Sequence, residues 1–98
     1  MTIEVNDDPM TDSRGDRCVM RVCVPTWGLL ELLSCYHDGY FMLRLNREKY
    51  VMANTDATAV EIATRLGGGR PPKRALVAID MLRAAANLAG YDLDAFPF

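Results

Sequence analysis

Hydrophobic and polar positions alternate with period two from Arg17 to Val24, RCVMRVCV, and this spacing predicts a β-strand. Cys18, Met20, Val22 and Val24 fall on one face, and Arg17, Val19, Arg21 and Cys23 on the other. Pro25 ends the strand, because proline offers no N–H to a ladder. Thr26 to Tyr36, TWGLLELLSCY, fits two elements. Leu29, Leu32, Leu33 and Tyr36 follow the helical spacing, and Leu and Glu favour helix. His37-Asp38-Gly39 is a turn signal ahead of another strand, which favours a hairpin instead. Both alternatives stay open. Tyr40 to Leu45, YFMLRL, reads as a strand, Asn46 to Lys49 as a tight polar connection, and Tyr50 to Met52 as the returning strand.

Helical signals begin after Met52. Two starts are available: Thr55 with Asp56, or Thr58 with Glu61 as a capping box. Ala59, Ile62, Ala63 and Leu66 make an apolar stripe, Glu61 and Arg65 can pair, and Gly67 is the expected stop. GGGRPPKR, residues 67–74, is a linker inside the domain, and Pro72 suits the first position of a second helix. That helix is expected to run to about Ala89, with Gly90 as its stop. After its first turn the polar residues are only Asp80, Arg83 and Asn87, one narrow stripe. Leu76, Val77, Ile79, Met81, Leu82 and Leu88, with six alanines, cover the rest. A surface helix needs an apolar arc of only about 100°. The surplus, with alanines such as Ala75, Ala78, Ala85, Ala86 and Ala89, has two explanations: a central helix covered on two sides, or a dimer or partner interface.

Thr2 to Asp16 is polar and acidic, with Glu4, Asp7, Asp8, Asp12 and Asp16 and no period. Residues 1–16 are therefore expected to be a mobile acidic tail, and 17–98 a single domain. The expected fold class is α+β, an antiparallel sheet of three to four strands followed by two C-terminal helices.

Composition sharpens this in three ways. At 98 residues and 50% hydrophobic content the chain can build one core. A net charge of −2 disfavours a broad electrostatic grip on nucleic acid, though not a local basic patch. No apolar run is long enough for a bilayer, and MTIEVNDDPM lacks the features of a signal peptide. The expected location is cytoplasmic, without membrane contact. The odd set of Cys18, Cys23 and Cys35 suggests reduced thiols acting as small core hydrophobes.

Candidate chemistry is sparse. Cys18, Cys23, Cys35 and His37 give C-x4-C-x11-C-x-H, which is not a zinc-knuckle spacing, and Cys18 and Cys23 would face opposite sides of their strand. His37 sits in an expected turn beside Asp38, with no third group to orient it as a base. The triple glycine does not read as a phosphate cradle, because Pro71 and Pro72 remove two N–H donors and no lysine-serine or lysine-threonine ending follows. No catalytic, cofactor or metal site is expected, and the chain is expected to be non-enzymatic.

Arg70, Lys73 and Arg74 stand out. Lys73 and Arg74 fall in a first helical turn, where cations oppose the macrodipole. A local rule broken without visible gain marks a candidate contact. The segment Tyr40 to Leu66, a short hairpin and then a helix with small residues on its face, resembles the arm-DNA-binding module of phage integrases and the related plant AP2 domains. This resemblance implies DNA contact through Arg44, Arg47 and Lys49, among which Glu48 departs from a basic pattern. GRPPKRALVAIDMLRAAA is similar to the lysine-rich start of the second helix of double-stranded-RNA-binding domains, from which the additional preceding helix departs. The first resemblance covers about a quarter of the chain and the second about a fifth.

The expected function is a small protein-binding or inhibitor module, of the accessory and anti-defence kind found in phages and mobile elements, anti-CRISPR proteins among them. Its expected contacts are Arg70, Lys73, Arg74, Phe96 and Phe98, with a protein partner or a second copy. The alternative is a nucleic-acid-binding regulator that uses Arg44, Arg47 and Lys49 with the basic linker.

Overall fold

The strands that the alternation predicts form one antiparallel sheet in a computed structural model that describes residues 1–35 and 39–94. Chain order is β1 (Ile3–Val5), β2 (Asp16–Val24), β3 (Gly28–Cys35), β4 (Tyr40–Leu45), β5 (Lys49–Met52), α1 (Ala59–Gly67) and α2 (Lys73–Leu88). The sheet order is β1-β2-β3-β4-β5, a meander, and both helices follow it. This is the expected α+β arrangement with one strand more than three to four. The additional strand is β1, from residues expected to lie in the tail, where Ile3 pairs with Val22 and Val5 with Met20. Three residues are too few to show a period in the sequence.

β3 resolves the segment that fitted both helix and strand, of which Tyr36 lies outside the described residues. It is the central strand, and it is buried on both faces. Leu30 and Leu32 join the core under the helices, while Glu31, Leu33 and Cys35 are buried on the other side. A strand covered on both faces is apolar continuously rather than alternately, so its leucines can also match a helical spacing.

The β2 faces differ from those expected. The pairing shifts register between Cys18 and Met20, a β-bulge that leaves Val19 as the extra residue. Val19 joins Met20, Val22 and Val24 in the core. Cys18 turns to the opposite face, with Arg21 and Cys23. The expected separation of Cys18 from Cys23 therefore does not hold.

The β4–β5 hairpin closes on Asn46 and Arg47, both with positive φ (52° and 59°), the primed turn that suits the twist of paired strands. Of the turn signal before β4, His37 and Asp38 lie outside the described residues, and Gly39 takes φ 70°. The later of the two helix starts is the one used. Thr58 caps α1, its hydroxyl accepting from the Glu61 N–H at 3.1 Å. Gly67 is the last residue of α1 rather than its stop, and Gly68, at φ 70°, is the C-cap. Pro72 is the N-cap of α2, so Lys73 and Arg74 open the helix without a side-chain cap or an acid in the first turn.

α1 packs on β4 and β5, and α2 packs on β2 and α1. The core joins Met20, Val22, Leu30, Leu32 and Leu43 of the sheet to Ile62, Leu66, Ile79 and Leu82 of the helices. Phe41 stacks on Tyr91 with ring centroids 5.2 Å apart, tying the segment after α2 to β4. No helix among the described residues is long and apolar enough to cross a membrane.

Candidate functional site

The outer face of α2 begins from a simple partition of its residues. Ala75, Ala78, Ile79, Leu82 and Ala86 face inward and are buried. The opposite side carries Val77, 49% exposed, Leu88, 89% exposed, and an exposed Ala84. Met81, partly buried, completes a line at positions 77, 81, 84 and 88. The spacing of 4, 3 and 4 keeps these four within an arc of about 60°. Lys73, Asp80 and Asn87 flank the line as exposed polar residues.

Both explanations of the surplus apolar helix therefore describe parts of α2. Most of the alanines singled out in the sequence, Ala75, Ala78 and Ala86, belong to the core, Ala85 is partly buried, and Ala89 is exposed. The exposed large side chains are instead Val77 and Leu88. The heptad-like spacing was the signal for them, masked because nearly every other position of the helix is also apolar.

Arg70, Lys73 and Arg74 are all exposed at the start of this face, with no hydrogen bond or ion pair among the described residues. Gly68 and Gly69 before them have positive φ and open space around them. Phe96 and Phe98 lie outside the described residues.

At the other end of α2, a cleft of about 580 Å³ is lined by Arg83, Ala84 and Asn87 of the helix and by Thr55, Asp92 and Asp94 among others. Asp94 accepts from the Thr55 N–H at 2.8 Å and from its hydroxyl, and these bonds hold its carboxyl below the usual range. Arg83 donates through Nη2 to the carbonyls of Asn54 and Ala57, which fastens the β5–α1 loop to α2. Its Nε is buried without a partner. Asp92 is exposed beside the helix end.

The second face of the sheet is polar at its centre. Arg44 holds Glu31 in a two-pronged contact, with Nε to Oε1 at 3.0 Å and Nη2 to Oε2 at 3.0 Å. Their side chains are 11% and 3% exposed. Burial pushes the Glu31 carboxyl up, but the hydrogen bonds and charge of Arg44, with help from the neighbouring Cys18 thiol, outweigh it, and the net shift is downward. The same pairing with Glu31 raises Arg44. The Cys18 thiol, which donates to the Met20 carbonyl at 3.3 Å, is pushed up to about 11, first by burial and then by the neighbouring Glu31 carboxylate. Residues of the β1–β2 connection lie over this centre: Asp12 comes within 3.7 Å of Arg44 Nη1, and the Arg14 guanidinium sits 4.7 Å above the Tyr50 ring.

The three basic hairpin residues do not form one patch. Arg44 is occupied by Glu31. Arg47 is exposed in the turn, 3.9 Å from Glu31 on the second face. Lys49 lies along a shallow cavity with Trp27 and Leu66, at the helix side.

Comparison of the chain with known protein families, curated proteins and solved structures gives no match.

Proposed function

We propose that this chain is a non-enzymatic protein-binding module whose protein contact is made through the outer face of α2. The observation that carries this reading is Leu88, a large apolar side chain almost fully in water, in line with Val77. Single exposed leucines are ordinary, but an aligned apolar row on a helix is the usual form of a helix-mediated protein contact. Arg70, Lys73 and Arg74, exposed at one end of that row, add a polar rim.

Two features of the second sheet face support a non-catalytic role. Glu31 is locked by a buried guanidinium, and Cys18 is held as the protonated thiol, so neither is poised as a base or nucleophile. Three cysteines outside any disulfide suit a reducing, cytoplasmic compartment. The alternative, a nucleic-acid-binding regulator, is less favoured because Arg44 is occupied and Arg47 and Lys49 diverge.

A photo-crosslinking amino acid placed at position 77 or 88 in the expressing cell tests the reading, with position 48 in the β4–β5 turn as the control. Discrete protein adducts from 77 and 88, and none from 48, are expected. Adducts no stronger than those of the control would remove α2 from the account, and salt-sensitive retention on DNA or RNA would favour the alternative.

A further inference from the structure

We propose that the occupant of the outer α2 face is a second copy of this chain, with the two α2 helices packed antiparallel about a two-fold axis. The inference rests on the reading of this face as a protein contact and names its partner.

The apolar row reads the same in both directions. Its spacing of 4, 3 and 4 is unchanged on reversal, so an antiparallel copy keeps every position in register. Val77 then lies against Leu88 of the partner subunit, and Met81 against Ala84 of the partner subunit. The larger Met meets the smaller Ala, which lets the backbones approach and fills the space between them. A two-fold contact requires this self-complementarity, whereas a contact with an unrelated protein does not.

The charges select the direction. Arg70, Lys73 and Arg74 crowd the N-terminal end of α2 without side-chain partners among the described residues, and Asp92 and Asp94 lie beside its C-terminal half, across the cleft that Ala84 and Asn87 line. An antiparallel pair sets each basic end against an acidic one. It also aligns the two macrodipoles favourably, so the cations that oppose α2's own dipole face the acids and the negative helix end of the other copy. A parallel pair would set like against like at both ends. The row from Val77 to Leu88 is only about 17 Å long within the 16-residue helix, a small contact, so association is expected in the micromolar range.

Sedimentation of the purified protein tests this. The mass is expected to rise from 10.9 kDa toward twice that value as concentration passes through the micromolar range. Val77→Asp/Leu88→Asp should hold it at the monomer mass with an unchanged circular dichroism spectrum, since both side chains are exposed. Lys73→Glu should weaken the dimer roughly tenfold, because the two-fold axis repeats each lost pair. Adding Asp92→Lys to Lys73→Glu should restore it. In a Cys23→Ser background, Val77→Cys/Leu88→Cys should oxidise to a linked dimer, while Val77→Cys alone should not. These positions are too far apart to join within one helix.

A monomer at every concentration, or a dimer indifferent to these substitutions, would overturn the proposal. Adducts from 77 and 88 with a strictly monomeric purified protein would overturn the homodimer alone and leave the protein-binding reading standing.

Discussion

The side chain of Asn46 occupies the space that a side chain on Gly28 would need: an added Cβ would lie 2.1 Å from Asn46 Oδ1. Asn46 accepts from the Leu29 N–H at 2.9 Å and donates to the Trp27 carbonyl at 3.3 Å. One residue of the β4–β5 turn thus satisfies the backbone of the β2–β3 turn, and Gly28, at φ 140°, makes room for it. Gly28→Ala is expected to cost about 2–4 kcal/mol, from the clash and the unfavourable φ together. Asn46→Ala should cost about 1–3 kcal/mol by leaving the Leu29 N–H and Trp27 C=O without this partner. The double variant should be less unstable than the sum, because removing the carboxamide relieves the clash. Urea denaturation of the four proteins measures this, and strict additivity would show that the two turns are not coupled.

The Glu31–Arg44 pair should show the asymmetry of a buried ion pair. Removing one partner, as in Arg44→Met, leaves an uncompensated buried charge and is expected to cost about 3–5 kcal/mol. Arg44→Met with Glu31→Leu should recover much of that loss. The pH dependence has a definite sign. Glu31 titrates below its ordinary 4.5 in the folded protein, so its contribution is fully present above about that pH and is lost as pH falls through the lower folded value. The stability gap between wild type and Glu31→Gln should therefore narrow below pH 4.5. A constant gap down to acid unfolding would contradict the assignment.

This pair also marks how far the chain was legible. The two helices, the YFMLRL hairpin and β2 were readable because local propensity, spacing and punctuation agree there. β3 was ambiguous for a tertiary reason: the β1–β2 connection and neighbouring strands cover a face that a lone sheet would leave to water. Glu31 reads in sequence as an ordinary polar helix or strand residue, and only cross-strand pairing with Arg44 reveals it as buried. Likewise the bulge at Val19, which moves Cys18 between faces, depends on the match to β3 and leaves no mark in RCVMRVCV. On the candidate surface, Lys73 and Arg74 were legible because they break a local rule. Val77 and Leu88 were not, because alanines and leucines surround them on every side of the helix.

The thiols should separate in reactivity. Cys23 is exposed, Cys18 partly buried and Cys35 buried. Cys23 is expected to react first with a soluble disulfide reagent, and Cys35 only on unfolding. Cys18 labelling should stay slow at neutral pH and climb as pH approaches about 11, since the thiolate is the attacking form. Glu31→Gln should bring that rise to lower pH by removing the charge that disfavours the thiolate. Fast labelling of Cys18 at neutral pH in the folded protein would refute the closed arrangement around Glu31.

Lys73 and Arg74 provide the sharpest contrast between stability and contact. They open α2 with two cations in the turn where the helix dipole favours anions, and that turn holds neither a side-chain cap nor an acid to offset them. If they served only the fold, acids would be better residues there. Lys73→Glu/Arg74→Glu is therefore expected to stabilise the isolated monomer by about 0.5–1.5 kcal/mol, in urea denaturation at protein concentrations too low for association. The same variant should weaken self-association at higher concentration. Opposite signs in the two measurements would mean that the basic turn is kept for a contact at the expense of the helix. A variant that is destabilised as a monomer would instead place Lys73 and Arg74 in the service of the fold, and a variant that is stabilised yet associates as the wild type does would separate the basic turn from the apolar row.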